Sequence, residues 1–444
     1  MKVIFLCGGI GKRMFPITED KFLLNFLGKT LLQHQMEVAK QAGLNQFLVI
    51  GNPANMGQIE QIARMLSGAK IELALQKQPL GIADALKSTA FFSDGDTLVV
   101  NPNDIFAASA YTSLLQEAKK KSAASYMLGY QTKSYFPGGY LVINSGNELK
   151  HIVEKPKPGQ EPSNLVNILV HLHTDSKRLL EYIEKVKTTK DDVYECALDN
   201  LIKDRHKIKV LPYTDFWAPI KYPWHIFDAV KYLLDISQPR ISASAYISEK
   251  ATIEGKVFIS DNVKVLENAV IRGPVYIGPG SIIGNNALVR DYSHIGADCV
   301  VGYSTEIKGS YIGDGCWMHS SYIGDSIIGK GCSFGAGTVL ANFRFDEQNI
   351  SVIVGGEAID TGRDKLGAII GDNCKTGVNV SVMPGIKIGP NSIVGSHACL
   401  AKDLTPEKMI VSEPHYQTLP NLVKPDEAKR KELKEKIEKL VGDT

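Results

Sequence analysis

A repeat of six residues governs the second half of the chain. Every sixth residue from Ile241 to Ile307 is Ile or Val, and a glycine often follows it, as at Gly278 and Gly284. A hexapeptide repeat of this kind is typical of a parallel β-helix. Three hexapeptides form one triangular coil, and the aliphatic side chains fill its axis. The sequence therefore predicts a solenoid over residues 241–402.

The repeat is interrupted once. Its register slips after Ile307, and it breaks from Ala341 to Ala368 before it resumes at Ile370. Long loops within regular folds are usually functional or disordered. We therefore expect residues 341–368 to leave the coil as an excursion loop.

Residues 1–235 follow a different pattern. Short apolar runs such as KVIFLC, QFLVIG, IELALQ and TLVVN alternate with helical patterns such as TLLQHQMEVAKQAG. This alternation predicts a mostly parallel, doubly wound α/β sheet, whose ligands bind at the carboxyl ends of the strands. The 444 residues thus divide into an α/β domain at 1–235, a β-helix at 241–402 and a tail with a charged helix at 403–444.

Composition excludes several classes of protein. Charged residues make up 22% and the formal net charge is +2, which argues against a nucleic-acid partner or a membrane surface. The seven cysteines are scattered and form no CxxC pair, so we expect free thiols in a reducing compartment. There is no run of 18 apolar residues, and the apolar run before Gly8 is short. We therefore expect a cytoplasmic protein without a membrane span or signal peptide.

The segment FLCGGIGKRMFPITEDK, residues 5–21, leads from the first strand into a basic, glycine-rich turn. It lacks the third glycine of a dinucleotide fingerprint and the Ser or Thr of a P-loop. It resembles the signature G-G-x-G-[TS]-R-x-x-P-x-T-x-x-x-K of sugar-1-phosphate nucleotidylyltransferases. The matching residues are Gly8, Gly9, Gly11, Arg13, Pro16, Thr18 and Lys21. Glycines let backbone amides approach a nucleotide closely. Arg13 and Lys21 would neutralise the negative charge that grows on the triphosphate when its α-phosphorus is attacked.

The resemblance extends over most of residues 1–235. Gln76 and Gly81 match nucleotide-binding positions, and Asp104 matches the Mg²⁺ ligand. The matches to the sugar-phosphate contacts are Gly139, Glu154, Lys155 and Asn167. The resemblance implies transfer of a nucleotidyl group from UTP or dTTP to a sugar 1-phosphate, with release of pyrophosphate.

The sequence also departs from the family pattern. The departures are Lys12 for Thr or Ser, Asp20 for Pro, and Asn103 for Gly. In WAPIK, Pro219 stands where the family commonly has its second metal ligand, an Asp, and Lys221 stands where it has Gly. Mg²⁺ is often held by one carboxylate with substrate phosphates and waters, so Asp104 would suffice and Lys221 would neutralise phosphate. The alternative is a nucleotide-sugar-binding protein with an impaired site.

His171 and His173 are two residues apart on a predicted strand and therefore share one face. Such a pair would serve either as metal ligands or as a packed or solvated pair, and we expect the second.

The coil resembles the left-handed β-helix of acyltransferases. It is most similar to the acetyltransferase half of the bifunctional sugar-1-phosphate nucleotidylyltransferase/acetyltransferases, through residues 304–346 and 360–389. Arg290 and Lys308 are 18 residues apart and should stack on consecutive coils. Stacked cations repel each other unless an anion lies between them. By resemblance, they would hold the phosphate of an amino-sugar 1-phosphate.

The same resemblance implies further roles. His319 matches the general base, Tyr322 and Asn342 match substrate contacts, and Ala336 matches a backbone contact to the acetyl-CoA thioester. The cations expected near the CoA phosphates are Arg363, Lys365 and Lys375, whereas Ser333 and Phe343 depart from the family's Asn and Tyr. Coils of this family usually form homotrimers with acetyl-CoA between neighbouring coils. The alternative is a coil that only trimerises the transferase.

Overall fold

The computed structural model describes residues 1–9, 11–89, 95–188, 192–413, 417–422 and 424–442. Residues 1–410 form one compact unit and residues 411–444 a second. In the second unit, the predicted charged helix is present and spans Glu427–Gly442. Among the described helices, none has both the length and the apolarity that crossing a membrane requires.

The first half of the larger unit alternates strands and helices, as the sequence predicts. The strands are β1 Lys2–Leu6, β2 Asn25–Phe26, β3 Lys29–Thr30, β4 Gln46–Gly51, β5 Lys70–Leu75, β6 Thr97–Val100, β7 Asp104–Phe106, β8 Ser125–Gln131, β9 Gly139–Ile143, β10 Leu149–Glu154, β11 Leu165–His173, β12 Ile208–Tyr213 and β13 Trp217–Pro219. The helices are α1 Leu31–Gln41, α2 Met56–Met65, α3 Gly81–Lys87, α4 Ser109–Ala118, α5 Ser176–Lys185, α6 Val193–Lys203 and α7 Ile226–Ile236, and that of the tail is α8.

The main sheet has the strand order β10-β9-β11-β6-β1-β4-β5, with β8 beside β11 and β12 beside β8. Its β6-β1-β4-β5 part is parallel, as expected for apolar strands joined by helices. The other half is mixed, because β11 runs antiparallel to β6, β8 and β9. The expectation of a mostly parallel sheet therefore holds only for the strands that carry the nucleotide loop.

The second half is a three-sided parallel β-helix. One face consists of β14 Arg240–Ile241, β17 Val257–Ile259, β20 Val275–Ile277, β23 Ser293–Ile295, β26 Tyr311–Ile312, β29 Ile327–Ile328, β34 Ile369–Ile370 and β37 Lys387–Ile388. The next consists of β15 Tyr246–Ile247, β18 Lys264–Val265, β21 Ile282–Ile283, β24 Val300–Val301, β27 Trp317–Met318, β30 Ser333–Phe334, β35 Lys375–Thr376, β38 Ile393–Val394 and β40 Met409–Ile410. The third consists of β16 Thr252–Glu254, β19 Val270–Arg272, β22 Leu288–Arg290, β25 Glu306–Lys308, β28 Tyr322–Gly324, β31 Val339–Leu340, β36 Ser381–Val382 and β39 Cys399–Leu400.

The repeat accounts for this packing. The sixth-residue aliphatic side chains form one continuous core along the axis. The 18-residue register pairs Arg290 with Lys308, and the predicted slip then pairs Lys308 with Gly324. The predicted excursion is present as an antiparallel hairpin, β32 Ser351–Val354 and β33 Glu357–Asp360. Coil pairing continues beyond residue 402, because β40 pairs with β38.

The α/β half and the coil share a hydrophobic core. Phe26 and Ile226 of the α/β half pack in one buried cluster with Tyr276 and Tyr311 of the coil. The contact is also polar, since the Lys330 ammonium lies 2.7 Å from Glu19. Glu19 belongs to the nucleotide loop, so the coil supports the segment that carries the predicted phosphate contacts.

Candidate functional site

The glycine-rich loop packs closely against the predicted nucleobase segment. A Cβ atom built on Gly8 would lie 2.0 Å from the Gln76 side-chain oxygen, so any larger residue there would force Gln76 to move. Gln76 is buried, and its amide donates to the Gly81 carbonyl at 3.1 Å and to Asp84 at 2.8 Å. Gly9 and Gly11 are exposed, which leaves their backbone open to a ligand. The structure thus brings the five predicted nucleotide-binding residues together.

Two asparagines that sequence reasoning missed hold this loop. The Asn55 amide donates to the Cys7 carbonyl at 2.9 Å and to Asp20 at 2.7 Å. The Asn52 amide donates to the Gly8 carbonyl at 3.3 Å. Asp20, a departure from the family pattern, therefore serves as an acceptor that ties the loop to the start of α2. Asn52 follows β4 directly and Asn55 comes immediately before α2, at the edge of the sheet where ligands bind, and that position was the available signal.

A pocket of about 400 Å³ gathers most of the remaining predicted residues of this half. It is lined by Gly11, Arg13, Lys21, Asp104, Gly139, Glu154, Lys155, Asn167 and Lys221. Four cations and the buried carboxylate of Asp104 therefore meet in one cavity, beside the mixed half of the sheet. This arrangement suits a ligand that carries several phosphate charges.

Asp104 has the environment of a metal ligand. Its side chain is 4% exposed, and one carboxylate oxygen accepts a hydrogen bond from the Trp217 indole at 3.0 Å. The other oxygen, Oδ1, is buried without a hydrogen-bond partner among the described residues. Burial raises the pKa of Asp104, although Lys221, Trp217 and Lys21 oppose that rise. A hard divalent cation such as Mg²⁺ fits an otherwise unpaired carboxylate oxygen of this kind.

Pro219 lies directly opposite Asp104, in the antiparallel pair of β13 with β7. Position 219, where the resemblance implies a second metal ligand, therefore lies beside Asp104 but has no side-chain oxygen. His225 secures the following turn, because its Nδ1 atom lies 3.1 Å from the Lys221 amide and 2.8 Å from the Pro219 carbonyl. The Lys221 ammonium lies over the Phe136 ring, 5.1 Å from its centre, and lines the pocket.

The cations of the pocket influence one another. The pKa of Lys21 is lowered to about 8, mainly by burial and then by the charges of Lys221 and Arg13, while Asp104 opposes the shift. Lys21 thus loses its charge more readily than an exposed lysine does. A bound polyphosphate would favour the charged form, because an opposite charge stabilises it.

The predicted sugar-phosphate contacts are also neighbours. Gly139 pairs with Glu154 across β9 and β10. A Cβ atom on Gly139 would lie 3.0 Å from a Glu154 carboxylate oxygen and 3.6 Å from the Asn167 Cβ atom. Lys155 forms an ion pair with Glu154 at 3.0 Å. A glycine at position 139 therefore leaves space in the pocket between the carboxylate of Glu154 and the side chain of Asn167.

His171 and His173 are a packed pair, as expected. Both are fully buried, and both ring systems contact the hydroxyl of Tyr194, at 2.8 and 2.9 Å. Burial lowers the pKa of His173 to about 3 and that of His171 well below its usual value. The described residues contain no cluster of three or more metal-ligating side chains.

On the coil, the predicted stack of cations is present, and the chain itself supplies anions beside it. Arg290 is adjacent to Lys308 and forms an ion pair with Glu306 at 2.8 Å. Lys308 forms an ion pair with Asp325 at 2.8 Å, and both side chains are 17% exposed. A ligand phosphate is therefore not needed to relieve the repulsion between the two cations.

Asp325, which sequence reasoning missed, links the predicted substrate contacts. The Asn342 amide donates to Asp325 at 2.5 Å and to the Tyr322 hydroxyl at 3.3 Å. Asp325 follows the Ile-Gly pair at 323–324 with positive φ, and its spacing of 17 from Lys308 was the signal available in the sequence. Lys308, Tyr322 and Asn342 thus belong to one hydrogen-bonded group.

His319 is exposed at the corner after β27. Its backbone amide donates to the Phe334 carbonyl at 3.1 Å. Ala336 lies at the same corner of the next coil, where the Gly337 amide donates to the Ser320 carbonyl at 3.1 Å. The predicted base and the predicted thioester contact therefore occupy adjacent corners, and His319 precedes Tyr322 by three residues.

The cations expected near CoA phosphates have different surroundings. Arg363 forms an ion pair with Asp228 of α7 at 2.6 Å and lies over the Phe227 ring, so it fastens the excursion to the α/β half. The Lys365 ammonium lies 5.9 Å from the centre of the Phe343 ring. Lys375 is exposed on β35. Of these three cations, Arg363 is the one that forms an ion pair among the described residues.

Comparisons with known proteins agree with this two-part arrangement. The nucleotidyl transferase family model matches residues 2–220, and the bacterial transferase hexapeptide model matches residues 256–291 and 367–402. A bifunctional protein GlmU from Methanococcus maripaludis is 39% identical over 410 residues, which cover 91% of this chain and 95% of that protein. A bifunctional sugar-1-phosphate nucleotidylyltransferase/acetyltransferase from Sulfurisphaera tokodaii is 33% identical over 413 residues, which cover 91% and 98%.

A bifunctional protein GlmU from Methanocaldococcus jannaschii is 34% identical over 409 residues, which cover 91% of this chain and 96% of that protein. Similarity of this extent spans both halves, the glycine-rich loop and the coil alike. The chain therefore belongs to the family of bifunctional sugar-1-phosphate nucleotidylyltransferase/acetyltransferases.

Proposed function

We propose that the α/β half transfers a nucleotidyl group from UTP or dTTP to a sugar 1-phosphate. The sugar phosphate oxygen attacks the α-phosphorus of the nucleoside triphosphate. A bond from this oxygen to phosphorus forms, the bond from phosphorus to the bridging oxygen breaks, and pyrophosphate leaves. The reaction is a phosphoryl-type transfer, in which the protein mainly positions the reactants and stabilises charge.

The observation that carries this proposal is the Oδ1 atom of Asp104, which is buried without a hydrogen-bond partner among the described residues, in a pocket with four cations. Asp104 would hold Mg²⁺, which neutralises phosphate charge when it is bound. Arg13 and Lys21 stabilise the charge that develops on the triphosphate, and Lys221, whose charge also acts on Asp104, supports them. Gly8, Gly9, Gly11, Gln76 and Gly81 bind the nucleotide.

The sugar 1-phosphate binds at the other end of the pocket. Gly139 leaves room for the sugar ring, and Glu154 and Asn167 provide an acceptor and an amide beside that room. Lys155 supplies a positive charge at the rim. In this proposal, the attacking phosphate oxygen lies between the sugar contacts and the cations.

The test is pyrophosphate release in the presence of Mg²⁺. UTP, dTTP, CTP, ATP and GTP are each combined with glucose 1-phosphate, N-acetylglucosamine 1-phosphate and N-acetylgalactosamine 1-phosphate. We expect release with UTP or dTTP, and loss of release in Asp104→Asn. Tight binding of a UDP- or dTDP-sugar without release from any combination would instead support the binding protein with an impaired site.

We propose that the coil acetylates an amino-sugar 1-phosphate with acetyl-CoA. The supporting observation is the group of Lys308, Tyr322 and Asn342 joined through Asp325, close in sequence to the exposed His319. His319 accepts a proton from the amine as it attacks the thioester carbonyl, and CoA leaves as the thiol. Arg290 and Lys308 hold the substrate phosphate, and the backbone at Ala336 contacts the thioester.

The assembly is proposed to be a homotrimer with an acetyl-CoA site between neighbouring coils. Chain boundaries at 1–235, 241–402 and 403–444 and a cytoplasmic location are part of the same proposal. Analytical ultracentrifugation tests the trimer. Release of CoA, measured with glucosamine 1-phosphate and acetyl-CoA, tests the acetyl transfer, and its absence would favour a coil that only trimerises the transferase.

A further inference from the structure

A buried hydrogen-bonded chain leads from Asn167, at the pocket, into the protein, and its inner members have none of the roles proposed above. It runs from Asn167 through His171, Tyr194 and His173 to Ser125, and we name these last four residues the relay. The links measure 2.8 Å, 2.8 Å, 2.9 Å and 2.8 Å in that order. The four relay residues are at most 2% exposed, whereas Asn167 lines the pocket.

An irregularity in β11 makes the first link possible. Side chains four residues apart on a regular strand are too far apart for a hydrogen bond, at about 3.3 Å of rise per residue. Here the register against β8 jumps between Ile168 and His171, so that two residues are left out of the pairing. Bulges of this kind redirect side chains and are frequent beside active sites. The bulge brings the His171 ring to the side chain of Asn167.

The direction of every hydrogen bond in the chain follows from the first link. With the Asn167 carbonyl oxygen Oδ1 facing His171, that oxygen only accepts, so His171 Nε2 carries the proton. Both histidines are neutral, because burial lowers the pKa of each. His171 Nδ1 is then an acceptor, and the Tyr194 hydroxyl donates to it.

The remaining links have one arrangement. Tyr194 has already used its proton, so its oxygen accepts from His173 Nε2. His173 Nδ1 in turn accepts from the Ser125 hydroxyl. Each buried polar atom of the relay is thereby satisfied, and a fully satisfied buried network fixes its members in one geometry.

We propose that the relay is a positioning device, which holds the Asn167 carboxamide with its amino group facing the pocket. Asn167 then donates to an acceptor oxygen of the sugar 1-phosphate. The inference rests on the proposed nucleotidyl transfer and assigns to His171 and Tyr194 a function in sugar recognition. Neither residue touches the substrate itself.

The experiment uses tryptophan fluorescence to measure the dissociation constants of glucose 1-phosphate and N-acetylglucosamine 1-phosphate. The dissociation constants of UTP and dTTP are measured in parallel. Tyr194→Phe removes one oxygen and breaks two links. We expect it to weaken sugar 1-phosphate binding about ten-fold, the effect of one hydrogen bond, and to leave triphosphate binding unchanged. His171→Leu should do the same, and His171→Gln, whose amide can donate to Asn167, should restore most of the affinity.

Thr97→Val is the matched control. Thr97 is fully buried, and its hydroxyl pairs only with Ser176, at 2.6 Å, in the described contacts. The Thr97→Val variant should lower the melting temperature as the relay variants do. It should leave the affinities for sugar 1-phosphate and for triphosphate unchanged. If His171→Leu does not fold, Tyr194→Phe decides.

Three results would overturn the inference. They are unchanged sugar 1-phosphate affinity in folded Tyr194→Phe, equal loss of sugar and triphosphate affinity, or no difference between His171→Gln and His171→Leu. Wild-type protein that binds a sugar 1-phosphate without releasing pyrophosphate would contradict the proposed transfer but still allow the relay to be judged. Wild-type protein that binds neither sugar 1-phosphate would overturn both.

Discussion

Pro219 faces Asp104 across a two-stranded antiparallel sheet, so the residue opposite the proposed metal ligand has no side-chain oxygen. Two cations, Lys21 and Lys221, act on the same carboxylate. In a site with two carboxylate ligands, the metal ions balance the negative charge. Here the two lysines provide part of the positive charge beside the carboxylate of Asp104. Asp104 is thus the carboxylate that the pair of β7 and β13 offers to a metal.

Replacing Pro219 with Asp should strengthen Mg²⁺ binding. The backbone of β13 already places position 219 beside Asp104, and a second carboxylate would add an oxygen ligand of the kind that Mg²⁺ prefers. We expect the Mg²⁺ concentration for half-maximal pyrophosphate release to fall about ten-fold, which corresponds to one added favourable contact. Pro219→Asn is the control, because asparagine has the shape of aspartate but carries no charge. An unchanged Mg²⁺ requirement in Pro219→Asp would show that Asp104 does not ligate the metal.

Nucleotidyl transfer should decline above about pH 8. In the free pocket the pKa of Lys21 is about 8, because burial and the neighbouring cations lower it. As the pH rises through this value, the ammonium loses its proton and no longer stabilises the triphosphate. The decline should be seen in kcat/KM, which reports the free enzyme. Lys21→Arg keeps a charge throughout this range, so its kcat/KM should not decline between pH 8 and pH 9. The same decline in that variant would assign the titration to another group.

Much of this arrangement could be predicted from the sequence, because local patterns carry it. The repeat at Ile241–Ile307 determines the coil, and the loop from Gly8 to Lys21 marks the nucleotide site. Residues that act across distant segments were not predicted. Trp217 donates to Asp104 and Asn55 holds Asp20, and no spacing in the sequence indicates either contact.

The contact between the two halves was not predicted either, because it too joins distant segments of the chain. The rings of Tyr276, His294 and Tyr311 stack along one coil face with centres 4.9 Å apart, and this stack meets the α/β half. The coil repeat places the three rings in line, but only the folded α/β half shows that the line is an interface. The mixed half of the sheet was missed because its strands β8 to β11 were not marked by helical segments between them.

His319→Ala should abolish CoA release and leave pyrophosphate release unchanged. His319 is exposed at a corner of the coil, while the nucleotide pocket belongs to the α/β half. We expect acetyl transfer to fall by a factor of about 100 or more, which is typical when a general base is removed. His397→Ala is the matched control, since His397 is also an exposed histidine at a coil corner after a strand of the same face. Equal acetyl transfer in the two variants would remove His319 from the mechanism.

His294 should make the contact between the two halves sensitive to acid. Its Nε2 atom accepts the Leu27 amide hydrogen at 3.1 Å, and burial lowers its pKa to about 3 from the usual 6.5. Above pH 6.5 the folded and unfolded states are both neutral at this site, and the full stability is present. As the pH falls below 6.5, the unfolded state takes up a proton that the folded state refuses, so stability is lost down to about pH 3. At pH 5 this loss amounts to about 2 kcal/mol for one such histidine.

The variant His294→Gln isolates this contribution. Its side-chain oxygen can still accept from Leu27, but it does not titrate. We expect the variant to be less stable than the wild type at pH 7.5, because it loses the ring stack with Tyr276 and Tyr311. The difference in the free energy of unfolding, measured with urea, should shrink by about 2 kcal/mol at pH 5, since only the wild type pays for protonation there. His397→Gln, at an exposed site, should follow the wild type at both pH values. A difference between His294→Gln and wild type that is equal at pH 7.5 and pH 5 would mean that His294 takes up its proton equally in the folded and unfolded states, so that folding does not lower its pKa.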